Sequence, residues 1–230
     1  MSSGKPASRT ILARWATHSA AGPGELVFIP DSEEALPQPA AACVVLPTQS
    51  AERARALLAQ GIRQVLLGEA ALLDSTRVEQ LAREFGPDRI GLYVPAKRMQ
   101  VDWSMDVVSN ADFRFVTPSR CEPGWEVLRA DGSRTGTLVD WWIGALFDLG
   151  ASSALVRVDV ADDNDLNICA RLTERFGDRL WLAAPEGVAP AFDRWVEYGK
   201  AMRLVVNDQQ YRENPAILAL RGVPEQEQVA

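Results

Sequence analysis

A chain of 230 residues that is 47% hydrophobic can build one large α/β domain or two small ones. Its formal charge of −7, with arginines scattered and never massed into a basic run, argues against nucleic acid or an anionic membrane as partner. The three cysteines, Cys43, Cys121 and Cys169, are far apart and lack metal-ligand spacing, so no metal centre and no cofactor is expected. Two of them read as buried thiols, a usage that suits a reducing compartment. The opening MSSGKPASRT has no apolar signal core, and no run approaches membrane-spanning length; the cytoplasm is the expected location.

Residues 1–9 and 222–230 are polar and read as flexible ends, leaving 10–221 as a single domain. Three short apolar pieces come first: Ile11–Ala13, Leu26–Ile29 and Cys43–Leu46. The links between them, around Gly22-Pro23-Gly24 and Leu36-Pro37-Gln38-Pro39, are too short and proline-rich for full crossover helices. From Ser50 the pattern is regular. Ala54, Leu57 and Leu58 line a helix closed by Gly61, and Val65–Leu67 follow as a strand. Thr76–Glu79 has the form of a capping box opening a helix with Val78, Leu81, Ala82 and Phe85 on one face. Gly86-Pro87 ends it, and Ile90–Val94 is the next strand.

After an irregular stretch, Trp125–Val127 is extended and Asp131-Gly132 is a turn. A long helix carrying Leu138, Trp142, Ala145, Leu146 and Leu149 then runs to Gly150. Three more strands, Ala154–Val160, Leu180–Ala184 and Met202–Val206, are separated by helices ending at Gly177 and Gly199. Strands apolar on both faces belong in a parallel sheet covered by helices, and eight of them favour a closed (β/α)8 TIM barrel over an open sheet. Its first two βα units are shortened and degenerate. Bare outer faces on those strands would call for a second copy or another protein to cover them.

The segment Ala54–Lys97, with Leu67-Gly68-Glu69-Ala70-Ala71 and the helix exit Phe85-Gly86-Pro87-Asp88-Arg89-Ile90, resembles the histidine-biosynthesis barrels. These are ProFAR isomerase and the cyclase subunit of imidazole glycerol phosphate synthase. Gly124–Val127, Thr135-Gly136 and Leu149-Gly150-Ala151 are most similar to the cyclase branch, and the resemblance spans about residues 41–212. It implies acid–base catalysis by two aspartates, one ending the first strand and one ending the fifth. The fifth-strand position is Pro95, which moves no proton. It also implies two phosphate grips built from glycine-rich loops. Their equivalents are Leu46–Gln49, Gly68-Glu69, Ala184–Gly187 and Val206–Gln209; Gly68 and Gly187 survive, while Glu69, Glu186 and Asp208 add negative charge where an anion would sit.

The candidate site residues each carry two readings. Asp31 ends a strand where a barrel delivers a catalytic group, or caps a helix at Ser32–Glu34. Arg157 and Asp159, on or just past the sixth strand, are a substrate-binding cation and a catalytic carboxylate, or a structural pair. Asp162–Asp165 is an oxygen-rich cation loop, or a helix N-cap with an acidic first turn. Lys97-Arg98 holds an anion or is a surface pair. Trp103 and Trp125 line a pocket or a contact surface, whereas Trp142 and Trp195 belong to the core. The lone His18 supports neither a triad nor a zinc site.

Two functions follow. One is a divergent histidine-pathway-type barrel that has lost catalysis and serves as a non-catalytic or partner-binding subunit. The other is an isomerase- or lyase-like enzyme for another small anionic ligand, with Asp31 and Asp159 catalytic and Gly68, Lys97, Arg157, Asp162 and Gly187 in binding roles. The resemblance gives this second function a context in tetrahydromethanopterin-linked one-carbon metabolism.

Overall fold

The computed structural model describes residues 10–16, 26–32, 42–99, 123–207 and 209–210. Ten strands and six α-helices run in the order β1 (Ile11–Trp15), β2 (Val27–Pro30), β3 (Ala42–Leu46), α1 (Ala51–Ala59), β4 (Gln64–Leu67), α2 (Glu69–Leu73), α3 (Thr76–Phe85) and β5 (Ile90–Arg98). These are followed by β6 (Trp125–Leu128), β7 (Arg134–Leu138), α4 (Val139–Asp148), β8 (Ser153–Arg157), α5 (Asp163–Phe176), β9 (Leu180–Ala183), α6 (Phe192–Glu197) and β10 (Arg203–Asn207). Eight strands pair in parallel around a ring, β1-β2-β3-β4-β5-β8-β9-β10, and β10 closes back on β1. The expected closed barrel is present, and its strands are the eight expected from the sequence. The links at 17–25 and 33–41, expected to be too short for crossover helices, lie outside the described residues, as do His18, Trp103 and Cys121.

Strands β2 to β5 and β9 are apolar on both faces because both faces are covered, whereas β1 (Ile11–Trp15) buries only Ala13 fully and leaves Ile11 47% exposed. Phe28, Val45, Leu66, Tyr93, Leu155, Trp181 and Val205 point into the ring and fill it. Their neighbours, such as Val27, Val44, Val65, Leu92, Val156 and Leu204, point out against the helices. Phe28 meets Trp181 edge-on, ring centroids 5.3 Å apart, so the lumen is a packed core. Val27 and Ile29, outward on β2, are buried within the one chain. Cys43 is in the lumen and Cys169 on α5, both buried as expected; burial pushes each thiol up to about 12.

Two arginines repeat one device. Short 3-10 turns, Pro87–Arg89 and Gly177–Arg179, lead into β5 and β9. Arg89 donates to the carbonyls of Leu58 (2.8 Å) and Ile62 (2.6 Å), at the exit of α1. Arg179 donates to those of Ala151 (2.6 Å) and Ser152 (3.1 Å), just past α4. Each guanidinium thus ties the turn that opens its strand to the helix exit one βα unit earlier, and the Leu58 carbonyl is shared with the Gly61 amide (3.1 Å).

Three local expectations need correction. The long helix after Asp131-Gly132 begins only at Val139, because residues 134–138 form β7, which pairs antiparallel with β6 in a hairpin; Leu138 is therefore a strand residue. Its buried face is Val139, Trp142, Ile143 and Leu146, with Ala145 and Leu149 at the margin. Thr76 is not a cap: Asp74 accepts from the Thr76 amide (3.1 Å) and hydroxyl, and Ser75 in the N-cap position makes no side-chain bond. The helix α2, between the fourth strand and α3, is an addition to the expected elements, and Glu69 is its first residue.

Candidate functional site at the strand C-terminal ends

The C-terminal ends of barrel strands are where the fold places chemistry, so the residues there decide what this mouth can do. β5 continues past the ring: Ala96, Lys97 and Arg98 pair antiparallel with Val127, Glu126 and Trp125. The β6–β7 hairpin is thereby laid against the mouth. Val127 and Leu128 face Pro47, Gly68, Tyr93, Pro95 and Trp142 around a cavity of about 10 Å³, room for about one water.

Two networks fix the hairpin. The buried Asp165 carboxylate accepts from the Trp125 indole (2.9 Å), Arg98 Nε (3.0 Å) and the Ala161 amide (3.1 Å). Arg98 also closes on Asp162, whose own carboxylate caps α5 by accepting from the amides of Asn164 (2.9 Å) and Asp165 (3.1 Å). The Arg98 guanidinium, helped by those amides, holds the Asp162 carboxyl down at about 2. Within the hairpin, the buried Glu126 accepts from Arg134 (2.8 Å) and the Gly136 amide (2.5 Å). Trp125 is therefore an anchor and not the wall of an open pocket.

These contacts give several of the candidate residues structural partners. Asp162 is the helix cap, and Arg98 is its partner. Among the described residues no group of three or more His, Cys, Asp or Glu is placed to hold a metal ion. Lys97 is exposed and makes no ion pair among the described residues. Asp31, just past β2, is gripped by Arg53 of α1 through Nη2–Oδ1 (2.8 Å) and Nε–Oδ2 (3.0 Å). Asp159 is exposed beyond β8. The strands carrying Asp31 and Asp159 are four apart in a ring of eight, on opposite sides of the mouth, so the two carboxylates are not brought together.

The positions to which the resemblance assigns aspartates are filled otherwise. The last residue of β1 is Trp15, packed against the lumen, and alternation from Tyr93 puts Pro95 at the lumen side of β5.

The surviving glycines have local reasons. The Gly68 amide donates to the Leu46 carbonyl (2.9 Å), and the next amide, of Glu69, donates to the Pro47 carbonyl (2.8 Å). A Cβ at Gly68 would sit 2.6 Å from the Pro47 oxygen, so the close approach of the β3 loop itself demands glycine. Amides aimed at carbonyls are not aimed at a phosphate. After β10, Asn207 and Gln210 cap each other: Gln210 N donates to Asn207 Oδ1 (2.7 Å) and Asn207 N to Gln210 Oε1 (3.1 Å). Gly187 lies in the loop after β9 with φ of 76°, a turn conformation suited to glycine.

Arg157 is the one candidate that the structure carries into the lumen. On β8 it lies between Pro95 of β5 and Ala183 of β9. Its guanidinium carbon is 4.8 Å from the centre of the Trp15 ring, and the side chain is 16% exposed. No local pattern marks Trp15 as its neighbour, since β1 and β8 are distant along the chain.

A larger hollow, about 430 Å³, lies on the outer wall between α4 and α5, bordered by Trp141, Gly144, Phe147, Arg175 and Arg179. Trp141 is 63% exposed there. No helix among the described residues is long and apolar enough to cross a membrane. Compared with known proteins, the chain matches no protein-family model and no curated protein.

Proposed function

We propose that this protein is a divergent relative of the histidine-biosynthesis barrels that has lost their catalysis and acts as a non-catalytic, partner-binding subunit in the cytoplasm. The observation that carries this reading is the packing at β3–β5, where among the described residues Tyr93, Pro95, Trp142 and the hairpin surround a cavity of about 10 Å³. A substrate with two phosphates needs hundreds of cubic ångströms there. Trp15 and Pro95 at the two implied aspartate positions, and loop amides committed to Leu46 and Pro47, support the same conclusion.

The partner reading rests on Trp141 and the hollow beside it, since Val27 and Ile29 are already covered within one chain. A second copy is the simplest occupant of such a surface, and shortened N-terminal βα units would be part of the same divergence. The test is complementation of histidine auxotrophs lacking either pathway barrel. No growth is expected, and growth would overturn the reading.

The enzymatic alternative, an isomerase or lyase for a different small anion, is favoured by Arg157 alone, a cation held inside the mouth. The separation of Asp31 from Asp159, and the grip of Arg53 on Asp31, weigh against that pair as its acid and base.

A further inference from the structure

A mostly buried guanidinium is ordinarily surrounded by acceptors, because its five N–H groups are costly to strip of water. Arg157 has two acceptors among the described residues, both at 3.3 Å: the Ala184 carbonyl on Nε, and Glu186 Oε1 on Nη2. The Glu186 side chain is 77% exposed, so it is a loose partner that solvent competes for. Nη1 donates to none of the described residues. One face of the guanidinium is covered by Trp15 at 4.8 Å, which holds the fork's plane and leaves its edge as the binding element.

We propose that Arg157, backed by Trp15, is the receptor for a small monocarboxylate at the β1, β8 and β9 side of the mouth, with Glu186 as the placeholder that the ligand displaces. Glu186 already shows that a carboxylate reaches the Nη2 edge, and its exposure makes displacement inexpensive. A planar carboxylate matches the fork in two parallel hydrogen bonds. A phosphate dianion fits less well, because Glu186 remains tethered beside it and Asp159 stands exposed just past β8. A receptor for a carboxylate serves a regulatory or partner-binding subunit as readily as an enzyme.

The experiment is a 15N-HSQC titration of the full chain with sodium acetate at constant ionic strength, following the Trp15 indole and Arg157 Nε–H signals. Chloride and inorganic phosphate are titrated in parallel. Acetate is expected to give saturable shifts at these two signals, chloride none, and phosphate weaker binding than acetate. Removing the competitor in Glu186→Gln is expected to tighten acetate up to about fivefold, the range of an exposed ion pair. Arg157→Lys is expected to weaken it about fivefold or more, since an ammonium loses both fork and stacking.

Glu186 is on the surface, so the Glu186→Gln variant tests the idea even where a change at Arg157 disturbs folding. A purely structural Arg157 predicts no tightening in Glu186→Gln. No saturation, the same shifts with chloride, tighter binding of phosphate than acetate, or an unchanged Glu186→Gln would each overturn the proposal.

Discussion

Removing the Asp165 carboxylate tests how the hairpin is held against the mouth. In Asp165→Ala three donors lose their acceptor: the indole of Trp125, itself 1% exposed, the Arg98 Nε and the Ala161 amide. Breaking one partner of a buried charged pair costs about 3–5 kcal/mol. Arg98, whose side chain is 34% exposed, keeps Asp162 and some water, which brings the expected loss down to about 3 kcal/mol. Asp165→Asn preserves shape and one acceptor oxygen, and is expected to cost about half as much.

The assay is urea unfolding followed by tryptophan fluorescence. A loss of about 3 kcal/mol lowers the midpoint by about 1 M with little change of slope. In a double-mutant cycle with Arg98→Ala the two changes should be coupled by about 1 kcal/mol or more. Asp165→Ala within 1 kcal/mol of the parent, or additive with Arg98→Ala, would refute the view that this network pins the hairpin.

Gly68→Ala should destabilise by about 1–3 kcal/mol, since its Cβ would press on the Pro47 carbonyl at 2.6 Å and backbone must move; the calorimetric melting temperature reads this. Asp162 has its carboxyl lowered from 3.8 to about 2, so its contribution to stability is complete above about pH 4 and is lost as pH falls towards 2. Acid unfolding of Asp162→Asn should accordingly show a shallower pH dependence across that window, and an unchanged profile would contradict the assignment. Cys43 and Cys169, with thiols pushed up to about 12 by burial, should resist iodoacetamide at pH 8 in the native protein and react once it is unfolded, as read by peptide mass mapping.

The barrel was legible in the sequence because covered strands leave a strong trace. Runs such as Cys43–Leu46, Val65–Leu67 and Leu180–Ala183 are apolar on both faces, and Gly61, Gly86, Gly150 and Gly177 mark the helix exits between them. The hairpin strand β7 was not legible: Arg134-Thr135-Gly136-Thr137 lies at a sheet edge with one side in water, so it carries no apolar alternation to separate it from the helix that follows.

At the site, one-dimensional spacing put Pro95 on the fifth strand and Asp162 at a helix start but concealed their neighbours. Arg98 meets Asp162 and Asp165, Arg53 meets Asp31, and Trp15 meets Arg157, each across the ring or between strand and helix. Such pairings are set by closure of the barrel, which no local pattern records. For the same reason Asp31 and Asp159 looked alike as strand-end carboxylates, although the ring order sets them on opposite sides.

Under the proposed function, the mouth does not accept the two-phosphate substrate that the resemblance implies. Isothermal titration of the full chain with the bisphosphorylated substrate of ProFAR isomerase tests it most directly. The account predicts no saturable heat up to millimolar ligand; binding at micromolar concentration, lost in Gly68→Ala, would contradict it.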